Sequence, residues 1–175
     1  MRLIRRVLGT PIGDMLAVSS EGGLCALEFA GPRRRDRLAA RLARYFPAHE
    51  IVDGASPVIG RTEAWLEAYF AGESAAPNGL PLDLRGADFE LRVWRVLLTI
   101  PPGSTTSYGA IAAQVGTPGA ARAVGAANGA NPIAIIVPCH RVIGSGGSLT
   151  GYGGGLAKKT WLLDHERRWR RDTLF

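Results

Sequence analysis

Cys139 and His140 stand side by side between an apolar run and a glycine-rich loop. The pair invites a reading as a nucleophile and its base. The thiolate is the reactive form of cysteine, and a free thiol has a pKa of about 8.5. Cys139 therefore needs a base or positive surroundings. Neighbours along an extended chain point to opposite faces, so contact between thiol and imidazole requires a turn at Pro138-Cys139 or a bridging water. His140 also needs an orienting partner on its other ring nitrogen. The acids of the late string Leu162-Leu163-Asp164-His165-Glu166 are the candidates, Asp164 or Glu166. His165 between them reads as a surface histidine. Asn131, just upstream, carries an amide able to hold the Cys139 turn in shape. An isolated cysteine in such a place is more often a small buried hydrophobe, so its neighbours have to decide.

The elements that must position these residues follow from pattern. Ile133-Ala134-Ile135-Ile136-Val137 has the length and β-branched content of a buried strand. Pro138 ends it, since proline cannot donate to a ladder. Beyond His140 comes a flexible loop with one aromatic, Tyr152, among Gly151, Gly153 and Gly154. The expected layout is a thiol at a rigid strand end, with a mobile wall opposite.

Upstream, Ala120 to Asn128 predicts a helix composed almost wholly of methyls and hydrogens, apart from Arg122, Val124 and Asn128. A helix from about Ser107 to Val115 precedes it, across the tight turn Gly116-Thr117-Pro118-Gly119. Helix, short glycine-bearing turn, helix is the skeleton of a helix-turn-helix. Small side chains suit tight helix packing. They also let a backbone approach a partner closely, and a low surface bearing one arginine suits a narrow nucleic-acid groove better than base reading in a wide one. Before these helices, Asp88 is the expected N-cap of a helix through Phe89, Val93, Trp94, Leu97 and Leu98, ended by Pro101-Pro102-Gly103.

The first half predicts three short strands, Leu3 to Leu8, Met15 to Ser19 and Leu24 to Phe29, joined at Pro11-Ile12-Gly13 and Glu21-Gly22-Gly23. Cys25 lies in the third strand as a structural residue. Pro32 to Arg37 is a basic run, with Arg33-Arg34-Arg35, leading into a helix to about Phe46 whose apolar positions Leu38, Leu42 and Phe46 fall on one stripe. His49 follows without an assigned role. A second helix, Val58 to Ala71, turns Trp65, Leu66, Tyr69 and Phe70 inward, and Gly72 to Pro81 reads as a linker. The expected organisation is therefore two domains: residues 1–84, an α/β unit with a three-stranded antiparallel sheet and helices, and residues 85–175, mainly helical.

The 175 residues suffice for two small domains with a real core. The net charge of +6 and pI of about 10.0 point toward a polyanionic partner. Two distant cysteines, Cys25 and Cys139, imply neither a disulfide framework nor a cysteine zinc site. The start Met1-Arg2-Leu3-Ile4-Arg5-Arg6-Val7 lacks the apolar core of a signal peptide, and no apolar run approaches membrane-spanning length. A cytoplasmic, reducing setting is expected, which keeps a thiol usable.

The string Pro138-Cys139-His140-Arg141-Val142 resembles the signature of the O6-alkylguanine–DNA alkyltransferases, the single-use methylated-DNA–protein-cysteine methyltransferases. Ser107-Tyr108-Gly109, Ala121 to Gly125, Asn131-Pro132, Gly151 to Gly155 and Trp161 to Glu166 stand in that family's order and spacing. The resemblance covers residues 86 to 167. The first half is similar only in its strand-then-helix layout and its tail Phe70-Ala71-Gly72-Glu73. It implies an α+β fold, with a small ribonuclease-H-like N-terminal domain and a winged-helix-like C-terminal domain containing the helix-turn-helix.

The resemblance further implies direct reversal of damage in double-stranded DNA. Cys139 would take the alkyl group of O6-alkylguanine irreversibly, with O4-alkylthymine as a further substrate left open. His140 would take the thiol proton through a water, Glu166 would orient His140, and Asn131 would support the turn. The small-residue helix, with Ala123 and Gly125, would enter the minor groove, and Arg122 would fill the gap left by the flipped nucleotide. Tyr108 would help to turn the nucleotide and would protonate the leaving base. The Val142 carbonyl, Tyr152 and Gly153 would line the guanine pocket, where some members have serine in place of Gly153. No cofactor, no metal and no membrane partner is implied. The expected state is a monomer, with cooperativity on DNA left open. A cysteine hydrolase would leave Arg122 and the basic surface idle. A damage sensor that does not repair would have no use for Cys139.

Overall fold

The computed structural model describes residues 1–73 and 76–172, the last three as backbone only. The chain forms two compact units, Met1–Gly86 together with Pro132–Ala134, and Ala87–Asn131 together with the chain from Ile135 onward. The expected single cut at 84/85 thus becomes a cut after Gly86, with a short later return to the first unit.

In the first unit β1 (Arg2–Leu8), β2 (Met15–Ser19), β3 (Leu24–Phe29) and β4 (Glu50–Asp53) form one sheet in the order β3-β2-β1-β4. The expectation of three antiparallel strands is corrected by β4, which runs parallel to β1. This strand is short and mostly exposed, so it carries no alternating apolar signal. Its register is marked instead by Arg5, whose guanidinium donates to both Asp53 oxygens at 2.7 and 3.0 Å. Helix α1 (Pro32–Tyr45) buries Leu38 and Leu42, which with Phe46 pack on Leu3, Val18, Cys25 and Ala26. Helix α2 (Pro57–Phe70) is capped by Ser56, whose hydroxyl accepts from the Ile59 N–H at 3.2 Å. It buries Ile59, Trp65, Leu66 and Tyr69, whereas Phe70, expected inside, is half-buried.

The free edge of β3 is covered by irregular chain. The Leu24 N–H donates to the Pro81 carbonyl and the Asp83 N–H to Leu24, both at 2.8 Å. Further along, the Leu27 N–H donates to Pro132 at 2.8 Å, and the Ala134 N–H to Leu27 at 2.9 Å. An uncovered edge would leave these groups as a template for another strand. Cover this close needs Gly23, since a Cβ there would come 2.5 Å from the Pro81 oxygen.

The second unit contains α3 (Asp88–Leu97), α4 (Tyr108–Gln114), α5 (Ala121–Gly129) and α6 (Leu156–Asp172), with the two-residue parallel strands β5 (Thr106–Ser107) and β6 (Val142–Ile143). Asp88, expected as the N-cap, is the first helical residue. The cap is Ala87, whose N–H donates to the Glu90 carboxylate at 3.0 Å. Glu90 thus satisfies the N–H of the cap residue itself, a different donor from the one that an aspartate at the cap would serve. Ser107 caps α4 by accepting from the Ala110 N–H at 3.1 Å. Trp94 is fully buried and donates its indole N–H to the Ala127 carbonyl at 2.8 Å, tying α3 to α5.

Ile133–Val137 is not a strand. All five residues are buried, but Ile133 makes a single bridge with Leu27 and the chain then turns, with Ile135 at φ +69°. β-branched residues rarely adopt that conformation. The apolar run signalled burial, and burial does not by itself imply a ladder partner.

Candidate active site

Cys139, His140 and Arg141 occupy a single 3-10 turn, opened by the Cys139 N–H donating to Val137 at 2.8 Å and closed by the Arg141 N–H donating to Pro138 at 3.0 Å. A turn at Pro138-Cys139 is thus present. Two amides hold it. Asn131 donates its Nδ2 to the Val137 carbonyl at 2.8 Å, and Asn128, on α5, donates to the Cys139 carbonyl at 3.3 Å. The thiol-bearing residue is 7% exposed.

The imidazole of His140 is fully buried, and its Nε2 lies 2.7 Å from Glu166 Oε1. Glu166 projects from α6 and is also fully buried. The choice between Asp164 and Glu166 falls to Glu166, since Asp164 is exposed and accepts from Arg167 at 3.2 Å. Arg141 grips the same carboxylate with Nε on Oε2 at 2.9 Å and Nη2 on Oε1 at 2.8 Å, and donates Nη1 to the Ile100 carbonyl at 2.6 Å. Burial by itself would raise the pKa of Glu166, but the charges and hydrogen bonds of His140 and Arg141 outweigh it and hold the group well below the usual carboxylate range. Burial pushes His140 down, and the attraction of Glu166 offsets this only in part. A carboxylate can only accept, so the neutral imidazole must carry its proton on Nε2. Its lone pair then sits on Nδ1, which is buried and has no hydrogen-bond partner among the described residues.

Lys159, fully buried on α6, donates Nζ to the Val142 carbonyl at 2.6 Å and to the Thr150 carbonyl at 2.8 Å. It ties β6 to the loop that follows. Burial lowers its pKa, partly offset by attraction to the Cys139 sulfur when that is ionised. The loop brings Tyr152 edge-on to His140, with ring centroids 6.5 Å apart, and leaves Gly153 exposed. Tyr108, the first residue of α4, donates its hydroxyl to Thr150 at 3.3 Å. On α5 the outward residues are Arg122, Ala123, Ala126 and Gly129, while Val124, Ala127 and Asn128 are buried. Gly125 lies against the Tyr108 ring, so that a Cβ there would stand 3.9 Å from its carbons.

Cys25 offers a contrast. It is buried in β3, donates to the Val18 carbonyl, and its thiol is pushed up to about 12 by burial and by Asp83. Among the described residues no group of three or more His, Cys, Asp or Glu could hold a metal ion, and no helix is long and apolar enough to cross a membrane. The charge is uneven: residues 87–175 carry ten Lys and Arg against five Asp and Glu, whereas residues 1–86 carry eleven against ten. In the basic tail Arg167 to Arg171, Arg167 and Arg168 are exposed, and the side chains beyond Trp169 lie outside the described residues.

Sequence reasoning missed three contributors, Arg141, Lys159 and Asn128. A signal exists for Lys159, because Lys159, Leu162, Leu163 and Glu166 fall at i, i+3, i+4 and i+7, the buried stripe of α6. A lysine in that phase has to be paired inside.

The fold and site together define a two-part protein in which a buried cysteine–histidine turn is held by an amide from a helix of mostly small residues. The description "6-O-methylguanine DNA methyltransferase, DNA binding domain" matches residues 88–168, and "6-O-methylguanine DNA methyltransferase, ribonuclease-like domain" matches residues 3–84. A methylated-DNA–protein-cysteine methyltransferase of Salmonella typhimurium is 46% identical over 169 residues, 95% of this chain and 96% of that protein. That of Mycobacterium bovis is 67% identical over 102 residues, a match spanning 58% of this chain and 61% of the relative's length. The crystal structure of Mycobacterium tuberculosis OGT in complex with DNA superposes with a TM-score of 0.78 at 45% identity, covering 97% of this chain and 94% of that one. The chain belongs to the 6-O-methylguanine DNA methyltransferase family.

Proposed function

We propose that this protein repairs double-stranded DNA by direct reversal, moving the alkyl group of O6-alkylguanine onto Cys139 in one irreversible turnover. The observation that carries this is the Cys139 turn backed by His140, Glu166 and Arg141, with the acceptor nitrogen Nδ1 of His140 left over. The thiol proton passes through a water to His140. The sulfur attacks the alkyl carbon in line as the carbon–O6 bond breaks, and Tyr108 supplies a proton to the leaving guanine. Glu166 keeps the imidazole oriented and stabilises it once charged. The product is a thioether, so neither a cofactor nor a metal takes part.

The outward face of α5 supports the binding half of the reading. Arg122 stands above Ala123, Ala126 and Gly129, a low surface on the more basic unit, suited to the minor groove as the second helix of a helix-turn-helix. A planar guanidinium can stack in the place of an extruded guanine. Gly125 faces the Tyr108 ring. The Val142 carbonyl, with a second lone pair beyond the one Lys159 uses, lines the guanine pocket with Tyr152 and the backbone at Gly153. The protein acts as a monomer in a reducing cytoplasm.

The test is intact mass after incubation with a duplex carrying one O6-methylguanine, followed by peptide mapping. One methyl per molecule, confined to the Cys139 peptide and absent from Cys139→Ser, is the expected result. Tight lesion binding without a mass gain would make the protein a sensor, and neither gain nor binding would return Cys139 to a structural role.

A further inference from the structure

We infer that Asn128 is a positioning residue for the nucleophile: from the inner face of α5 it sets the angle at which Cys139 presents its sulfur. The inference rests on Cys139 being the alkyl acceptor. The helix that carries Arg122, Ala123 and Ala126 outward carries Asn128 inward, 5% exposed, with Nδ2 on the Cys139 carbonyl at 3.3 Å. Asparagine is a poor helix former, and here it occupies the last turn of a helix whose other residues, apart from Arg122 and Val124, are alanine or glycine.

Its amide orientation is dictated by chemistry. The Cys139 carbonyl can only accept, so Nδ2 must face it, and Oδ1 is left buried without a partner among the described residues. A buried orphan acceptor is costly, and an apolar residue of similar volume would avoid it. The residue that is present instead contributes one directed hydrogen bond, and that bond lands on the backbone of the nucleophile itself. Asn131 fixes the chain two residues earlier, at Val137. The Val142 N–H already donates to the Cys139 carbonyl, and the Asn128 amide adds a second hydrogen bond to the same oxygen, which further limits rocking of this peptide plane and of the Cα–Cβ bond with it. In-line displacement tolerates little of this, since a misplacement of about 1 Å can cost on the order of a hundredfold in rate.

Two variants test the role: Asn128→Leu, which removes both polar atoms, and Asn128→Asp, which keeps the shape but puts an acceptor where the donor was. Transfer to Cys139 is timed with the free base O6-benzylguanine and with a single-lesion duplex. Modification of Cys139 by iodoacetamide is timed alongside, with peptide mapping, because attack on a small mobile electrophile does not depend on a set angle. Folding is checked by circular dichroism, and Asn128→Asp carries the test if Asn128→Leu does not fold. Both transfer rates are expected to fall about tenfold or more, with duplex affinity and the iodoacetamide rate within about twofold of the parent. Unchanged transfer in a folded variant would overturn the role. So would transfer and iodoacetamide rates falling by one common factor, which would mark a merely structural effect. A parent protein that gains no alkyl group on Cys139 would instead overturn the underlying reading.

Discussion

Arg141 is the residue on which the chemistry of this site leans without being part of it. Both Glu166 oxygens and the Ile100 carbonyl take hydrogen bonds from its guanidinium in a place closed to water. Removing one partner of a buried ion pair leaves the other charge uncompensated, at about 3–5 kcal/mol. Arg141→Met is expected to lose stability of that order in urea unfolding, and a loss below about 1 kcal/mol would mean that water reaches Glu166. The pair also sets an acid limit. His140 and Glu166 both have lowered pKa values in the folded protein, so the unfolded chain binds more protons once the pH drops below their unfolded values of about 6.5 and 4.3. Their stabilisation is complete above about pH 6.5, declines as the pH falls through it, and declines again below about 4.3. Melting temperatures measured from pH 8 to 5 should fall over the acid half of that range, and His140→Gln should flatten the decline.

Helix α5 works as an element with two faces. Its outward side is low because Ala123, Ala126 and Gly129 have little to project, which leaves Arg122 as the one long exposed side chain. If Arg122 fills the gap of a flipped nucleotide, as proposed, Arg122→Ala should slow transfer from a lesion in duplex DNA much more than transfer from free O6-benzylguanine, which has no gap to fill. Equal losses on both substrates would remove the stacking role. Gly125 lies not on the outward side but against the Tyr108 ring. An added Cβ would meet that ring at 3.9 Å, an ordinary van der Waals distance, and alanine is about 1 kcal/mol better than glycine inside a helix. Gly125→Ala is therefore expected to raise the melting temperature by a few degrees. A fall would show that Tyr108 needs the space.

At the scale of the whole molecule, the positive charge belongs to the second unit. Residues 87–175 have twice as many basic as acidic side chains, while the first 86 residues are nearly balanced. Binding through phosphate contacts releases counterions, so affinity for duplex DNA should fall steeply between about 50 and 200 mM salt, linearly on logarithmic axes. A flat dependence, measured by fluorescence anisotropy, would place the contact on apolar or base-edge groups. The two units also differ in where their polar groups find partners. In the first, irregular segments at 81–83 and 132–134 close the free edge of β3. In the second, the buried His140 and Arg141 both bond to the buried Glu166 of α6.

Much of this was legible in the chain itself. The β1 to β3 strands, both helices of the first unit and the small-residue helix follow from local periodicity and turn residues, which act within a few positions. Cys139 and His140 drew attention as adjacent reactive residue types, but the residues alone left Asp164 and Glu166 open, the resemblance implied Glu166, and the packed chain is what sets Glu166 against the His140 ring. Three features were decided only by tertiary structure. The run Ile133–Val137 is as buried as a strand but turns instead, because hydrophobicity reports removal from water and not the direction of the chain. Strand β4 forms on an exposed edge, where pairing with β1 and not its own pattern makes it a strand. Lys159, Arg141 and Asn128 became parts of the site because folding closed water away from them and left backbone carbonyls and one carboxylate as their partners. A buried polar group must find such partners, and which ones lie within reach is a property of the packed chain alone.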